Sequence, residues 1–262
     1  MEKVLKVRGL NKSYEDKQVL HDLNFEVERG EIVGYIGPNG SGKSTTIKII
    51  LSLISDHTGE IEIFGEKIGG DSTDYKRRIG YVPEMSMIYE SLTPAEYFSF
   101  LSRIYGMDTN DYLDRAQTML KIFGVEEHIQ QRMESFSKGM KQKVSIVSSM
   151  LHNPDILFLD EPLNGLDANS VAIFKDVVSS LAKKGKTVFY SSHIMEVVQK
   201  VSSRIILLKE GYIIADGTMK DLEEHSEDKS LESIFNQLTG FDEKADLVKE
   251  YVDCVLGGHR DE

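Results

Sequence analysis

The sequence has one cysteine, Cys254, and no tryptophan. A single thiol excludes an internal disulfide framework and fits a reducing compartment. No apolar run approaches the roughly 18 residues that a membrane-spanning helix needs. The N-terminal run MEKVLKVRGL lacks the apolar core of a signal peptide. Basic residues are in deficit: 31 Lys and Arg face 43 Asp and Glu, a formal charge of −12. That balance argues against a general nucleic-acid binder. The deficit is local, because residues 221–262 alone hold 13 acidic and 4 basic side chains. Internal repeats and low-complexity linkers are also missing. Together these absences point to a soluble, cytoplasmic chain with an acidic tail.

What is present suffices for a sizeable core. The 262 residues are 40% hydrophobic and 28% charged, which excludes a disordered chain and fits one or two domains. Short β-rich runs alternate with helical stretches, the pattern of a parallel sheet wrapped by helices. Val19–Val27 and Glu31–Ile36 read as strands, separated by a turn at Arg29-Gly30. Ile61–Phe64, Ile79–Val82, Ile156–Leu159, Thr187–Ser191 and Ile205–Leu208 read likewise. Helices are predicted over Lys43–Leu53, Lys138–Leu151 and 169–183. Residues 94–132 differ in kind: Tyr97, Phe98, Leu101, Ile104 and Tyr105 fall at helical spacing, as do Leu113, Ala116, Met119, Leu120 and Phe123. This block reads as a helical insertion, extending over about 90–152. In the tail, Leu231, Ile234, Phe235 and Leu238 predict another helix.

The run Gly37-Pro38-Asn39-Gly40-Ser41-Gly42-Lys43-Ser44 matches G-x-x-x-x-G-K-[ST] between an apolar strand and a helix, the context of a P-loop. Its glycines let successive N–H groups point at phosphate oxygens, and the helix N-terminus adds a positive dipole end. Lys43 supplies a charge for the β- and γ-phosphates and Ser44 a ligand for Mg²⁺; Thr45 continues the nucleotide-binding run. Ile156–Leu159 is an apolar strand that ends in two carboxylates. Asp160 is placed to reach the same Mg²⁺, and Glu161 to polarise an attacking water.

With these motifs in hand the chain resembles the ATP-binding cassette (ABC) ATPases. Phe136-Ser137-Lys138-Gly139-Met140-Lys141-Gln142 is similar to the family's LSGGQ signature, in a form found in an exporter-like (ABC-2-type) branch. Ser137 and Gly139 match; Phe136, Lys138 and Met140 depart from it. Asn164-Gly165-Leu166-Asp167 resembles the D-loop, Ser191-Ser192-His193 the switch histidine, and Tyr14 the aromatic that stacks on adenine. The resemblance covers roughly residues 3–218. It implies an α/β fold of the P-loop NTPase kind, a mixed or parallel sheet core with an antiparallel β subdomain and the helical insertion. Residues 1–220 would form the ATPase domain and 221–262 an acidic helical extension.

The resemblance also implies roles. Ser137 and Gly139 would close over ATP held by a second cassette, in a homo- or heterodimer. His193 would contact the γ-phosphate, and Asp167 would couple the two halves. The family often has glutamine where this chain has Glu84; a carboxylate can bind Mg²⁺ but donates no hydrogen bond unless protonated. The cofactors implied are ATP and Mg²⁺. The partners implied are a membrane-embedded permease and a second cassette, with the chain held at the cytoplasmic face of the membrane through that permease and no nucleic acid expected. A soluble ABC ATPase acting on nucleic acid or ribosomes is the alternative. Relatives of that kind carry two cassettes or a long coiled coil, and neither is present.

Three features stay open on the sequence. Met85-Ser86-Met87-Ile88-Tyr89 is either a docking surface for the membrane subunit or part of the insertion's own core. Lys138, Lys141 and Lys143 either favour ATP phosphates or form a solvated helix face. The apolar stripe Leu247, Val248, Tyr251, Val252 and Val255 could dock on the body, on another copy or on a partner.

Overall fold

A computed structural model describes residues 2–69, 73–224, 230–239 and 244–255, the side chains of 239 and 244–249 excepted. Two sheets form its frame. The first is antiparallel, with strands β1 (Lys3–Tyr14), β2 (Lys17–Glu28), β4 (Thr58–Ile63) and β5 (Glu66–Lys67) in the order β2-β1-β4-β5. The second contains β3 (Ile32–Ile36), β6 (Ile79–Val82), β7 (Ile156–Asp160), β8 (Thr187–Ser191), β9 (Arg204–Lys209) and β10 (Tyr212–Gly217). Its order is β10-β9-β3-β8-β7-β6, parallel throughout except for the antiparallel edge strand β10.

The central strands are apolar runs because both of their faces are covered. Every residue of β3, β7 and β8 is buried. Alternation then sorts them: Leu157 and Leu159 pack with Phe98, Tyr190 and Val198 on one face. Ile156 and Phe158 pack on the other with Leu5, Phe25, Tyr35, Ile47 and Phe189. The first face carries α2 (Pro94–Tyr105), α3 (Thr109–Ile122), α4 (Lys138–Met150), α5 (Ala168–Lys183) and α6 (Met195–Val201). The second faces the antiparallel sheet, with α1 (Lys43–Ile50) between. The insertion helix α2 has strong start and stop signals. Thr93 and Glu96 form a reciprocal capping box, Pro94 opens the first turn, and Gly106 ends the helix with φ 67°. After β10 come α7 (Met219–Glu223), α8 (Leu231–Thr239) and α9 (Lys244–Val255). Leu231 and Ile234 of α8 are buried in the main core. Among the described residues no helix is long and apolar enough to cross a membrane.

Several elements were not foreseen. β1 escaped because register shifts between Val7 and Leu10 and again before Lys12 break its alternation. β10 begins with a run of four apolar residues, Tyr212–Ala215, rather than an apolar–polar alternation, so periodicity alone does not mark it as an edge strand. α6 has seven residues, too few for helical periodicity. The helix expected to reach Leu53 stops at Ile50. The tail stripe is partly settled: Tyr251 and Val255 are exposed, while the side chains of Leu247 and Val248 lie outside the described residues.

Gly80 in β6 marks the tightest junction between sheet and insertion. A Cβ there would stand 2.2 Å from the Ser149 carbonyl oxygen of α4 and 2.5 Å from Leu157. Gly80→Ala is therefore expected to destabilise the fold by about 1–3 kcal/mol, read as a lower urea midpoint at unchanged m-value.

Candidate active site

Sheet register assembles the site. Tyr35 of β3 pairs with Ser191 of β8, and Ser191 pairs with Asp160 of β7. The loops that leave the carboxyl ends of these three strands therefore converge, the usual ligand position in parallel α/β sheets. A cleft of about 350 Å³ opens there, lined by Val19, Asn39, Gly40, Gly42, Lys43, Ser44, Thr45, Glu84 and Glu161.

The P-loop curls from Ile36 into α1. Gly42 sits at φ 106° at the start of the helix, a backbone that only glycine adopts without strain. A Cβ there would also meet Leu20 at 2.4 Å. Lys43 is buried and folds back over its own loop, donating to the carbonyls of Gly37 at 2.7 Å and Pro38 at 3.1 Å. Burial pushes its ammonium pKa down, and Glu161, Asp160 and Glu84 partly offset that. The hairpin joining β9 to β10 braces the loop, since the Gly211 N–H donates to the Ser41 carbonyl at 3.1 Å. The Ser41 hydroxyl is buried and has no hydrogen-bond partner among the described residues.

Asp160 is buried and accepts from Ser191 Oγ at 2.6 Å and Ser44 Oγ at 3.2 Å. Glu161 turns the chain out of the sheet in the left-handed region, with φ 48°. His193 Nδ1 donates to Glu161 Oε2 at 2.8 Å. Burial pushes the Glu161 carboxyl pKa up, against the opposing pull of His193 and Lys43. Glu84, in the loop after β6, is exposed and lines the same cleft.

These oxygens suit a magnesium ion brought in with phosphates. Ser44, Asp160 and Glu84 offer a hydroxyl and two carboxylates, all hard donors. Among the described residues no group of three or more His, Cys, Asp or Glu side chains is arranged to hold a metal ion alone. Mg²⁺ in general keeps water and substrate phosphates among its ligands.

Ser137, Gly139, Asp167 and Tyr14 are not among the residues that line this cleft. Ser137 caps α4, accepting from the Met140 N–H at 3.2 Å. Gly139 packs so closely on the next loop that a Cβ would meet the Gly165 carbonyl at 2.4 Å. Asp167 caps α5 and accepts from the Ser170 hydroxyl at 2.7 Å and from Lys143 at 2.9 Å, which hold its carboxyl well below the usual range. Tyr14 stands at the β1–β2 turn, 45% exposed, outside the lining of the cleft, with the Lys12 ammonium 4.5 Å from its ring centre.

The lysines left open by the sequence divide. Lys141 pairs with Glu90 at 2.7 Å, and Lys143 bridges Asp167 to the Phe123 carbonyl. Both tie loops to α4. Lys138 is exposed. Sequence reasoning missed Val19, a lining residue with no motif to mark it, and Ser191 as the closest partner of Asp160.

Residues 20–164 match the ABC transporter family. The linearmycin resistance ATP-binding protein LnrL of Bacillus subtilis (strain 168) is 36% identical over 219 residues, spanning 84% of this chain and 70% of that protein. A solved structure of the ATP-binding subunit of an ABC transporter superposes with a TM-score of 0.84 at 34% identity, covering 90% of this chain and 99% of that one. A dimeric ATP-binding cassette in a post-hydrolysis state, bound to ADP and Pi, superposes with a TM-score of 0.74 at 26% identity, covering 82% of this chain and 98% of that one.

A nucleotide cleft of this design on this fold defines a P-loop ATPase. The chain belongs to the ABC transporter family, and within it is the ATP-binding subunit of a membrane transporter.

Proposed function

We propose that the subunit hydrolyses ATP in a Mg²⁺-dependent reaction and thereby drives export through a separate permease, as one half of a cassette pair. The observation that carries the reading is the contact of His193 with Glu161 at the mouth of the P-loop cleft. Lys43 and the P-loop N–H groups hold the phosphates, with the Ser41 hydroxyl, unbonded among the described residues, beside them. Ser44, Asp160 and Glu84 would hold the metal, whose charge, when bound, helps neutralise the phosphates. Glu161 takes the proton of the attacking water, and His193 fixes the orientation of that carboxylate. Gly37, Pro38, Asn39, Gly40, Gly42 and Thr45 shape the pocket, and Tyr14 stacks on the base.

Ser137 and Gly139 face the second cassette, in keeping with their absence from the lining of this chain's own cleft and with the dimeric neighbour. Asp167 couples the halves. The exposed Met85 and Met87 form the adaptable surface that meets the permease at the cytoplasmic face of the membrane. The resistance function in the name of LnrL supports the direction, outward. Residues 1–220 act as the ATPase domain, with 221–262 an extension resting on it through Leu231 and Ile234.

The direct test is ATP turnover by the purified chain with Mg²⁺ and with excess EDTA, beside a detergent pull-down from native membranes. Turnover falling to background in EDTA, together with co-purification of a polytopic membrane protein, is expected. Undiminished turnover in EDTA, or recovery of ribosomes alone, would refute it.

A further inference from the structure

Gln142 lies outside the cleft and has no part in the chemistry above. It stands on α4, one turn beyond Gly139, and is only 2% exposed. A buried primary amide is tolerated where both of its ends are bonded. Here Nε2 donates to the Pro162 carbonyl at 3.0 Å, and Oε1 accepts from Ser86 Oγ at 2.6 Å. The orientation of the amide is fixed, because a carbonyl oxygen can only accept.

The two partners are what give the residue its interest. Pro162 directly follows Glu161, and Ser86 is two residues beyond Glu84. One side chain therefore spans the two loops that bring carboxylates to the cleft. The Glu161 turn needs such support. Its φ of 48° is a strained conformation for glutamate, and such conformations persist only where the surroundings hold them. Bonds from the Glu161 N–H to the Ser191 carbonyl at 3.1 Å and from the Asn164 N–H to the Glu161 carbonyl at 3.2 Å hold it from the sheet and from within the turn. Gln142 holds it from the helical insertion.

We propose that Gln142 is a positioning residue for hydrolysis, setting the Glu161 turn against the Glu84 loop. The inference rests on the reading of Glu161 as the group that activates water. Ser86 lies between Met85 and Met87, which are 77% and 81% exposed. A displacement of that surface segment thus reaches Glu161 through one buried amide.

The test measures kcat and KM for ATP on the full chain carrying Gln142→Met, Gln142→Glu, Ser86→Ala and the Ser86/Gln142 double change. Gln142→Met is expected to lower kcat about tenfold, with KM moved less than about twofold, as for a misplaced catalytic group. Gln142→Glu keeps the shape and the acceptor for Ser86 but puts a carboxylate against the Pro162 carbonyl, so it should fall as far. Ser86→Ala should cost about threefold, and the double variant should be no worse than Gln142→Met, because the two residues form one tie.

Wild-type kcat in both Gln142 variants, a loss confined to KM, or multiplying effects in the double variant would overturn the proposal. Should Gln142→Met fail to fold, Gln142→Glu and Ser86→Ala decide alone. Glu161→Gln run alongside separates the causes. If it turns over normally, the Glu161 reading has failed and this inference with it. If it is inactive while the Gln142 variants are normal, only the inference has failed.

Discussion

Replacing Lys43 by methionine is expected to reduce kcat/KM for ATP by at least about 10²-fold, the usual cost of removing a preorganised charge from a transition-state site. The ammonium faces Asp160, Glu161 and Glu84 across the cleft, and all three favour its charged form. Without it, incoming phosphates meet carboxylates with no cation from the P-loop between them. The fold should survive. Burial already disfavours the charge, so deleting it removes a desolvation cost while methionine keeps the stem. The loss at Gly37 and Pro38 is two donations to loop carbonyls, the first buried and the second half-buried, a cost of about 1–3 kcal/mol that the removed desolvation of the ammonium offsets in part. Thermal unfolding within a few degrees of wild type, with nucleotide binding weakened in a fluorescent-analogue titration, completes the expected result. Wild-type turnover in Lys43→Met would remove the P-loop lysine from the mechanism.

Much of this site was legible in the sequence, for a physical reason. A P-loop must follow a strand and open a helix, so its glycines, lysine and serine occur in one contiguous run. Asp160 and Glu161 were equally visible because a buried apolar strand, ILFL, delivers them. Their convergence was not. It depends on β8 lying between β3 and β7, and strand order is invisible to periodicity. The same applies to Ser191, whose hydroxyl reaches Asp160 only through parallel pairing of β7 with β8.

The insertion was read from the spacing of Tyr97, Phe98, Leu113 and Leu120 alone. The polar ties that fasten it to the site, Gln142 to Pro162 and Lys143 to Asp167, were not. A lysine or glutamine on a helix has the same composition whether it is solvated or buried in a bridge. The least legible parts of the fold were β1 and β10. Bulges scramble the alternation of one, and the other is a short apolar run, Tyr212–Ala215, that shows no alternation in sequence although only Ile213 and Ala215 of it pack on the core.

Glu161→Gln should bind ATP and fail to turn it over, with kcat lowered by about 10²–10⁴-fold, the range for loss of a general base. The amide matches the carboxylate in shape and can still accept from His193 Nδ1, now 2.8 Å from Glu161 Oε2. The backbone at φ 48° and its bond to the Ser191 carbonyl do not involve the side chain. What disappears is the proposed base, a carboxyl whose pKa burial has raised above the ordinary carboxylate value, toward the pH at which a general base works best. Two readouts follow. With Mg²⁺ and ATP the variant should accumulate as a dimer on size exclusion, because closure is intact while the hydrolysis that would reopen the pair is missing. In the wild-type chain, turnover should fall as acid protonates Glu161, with an inflection above the model-peptide glutamate pKa of about 4.3. Residual turnover in Glu161→Gln should lack that inflection. Turnover within twofold of wild type, or an unchanged acid limb in the variant, would move the base to another residue of the cleft, with Glu84 the nearest alternative among its lining carboxylates.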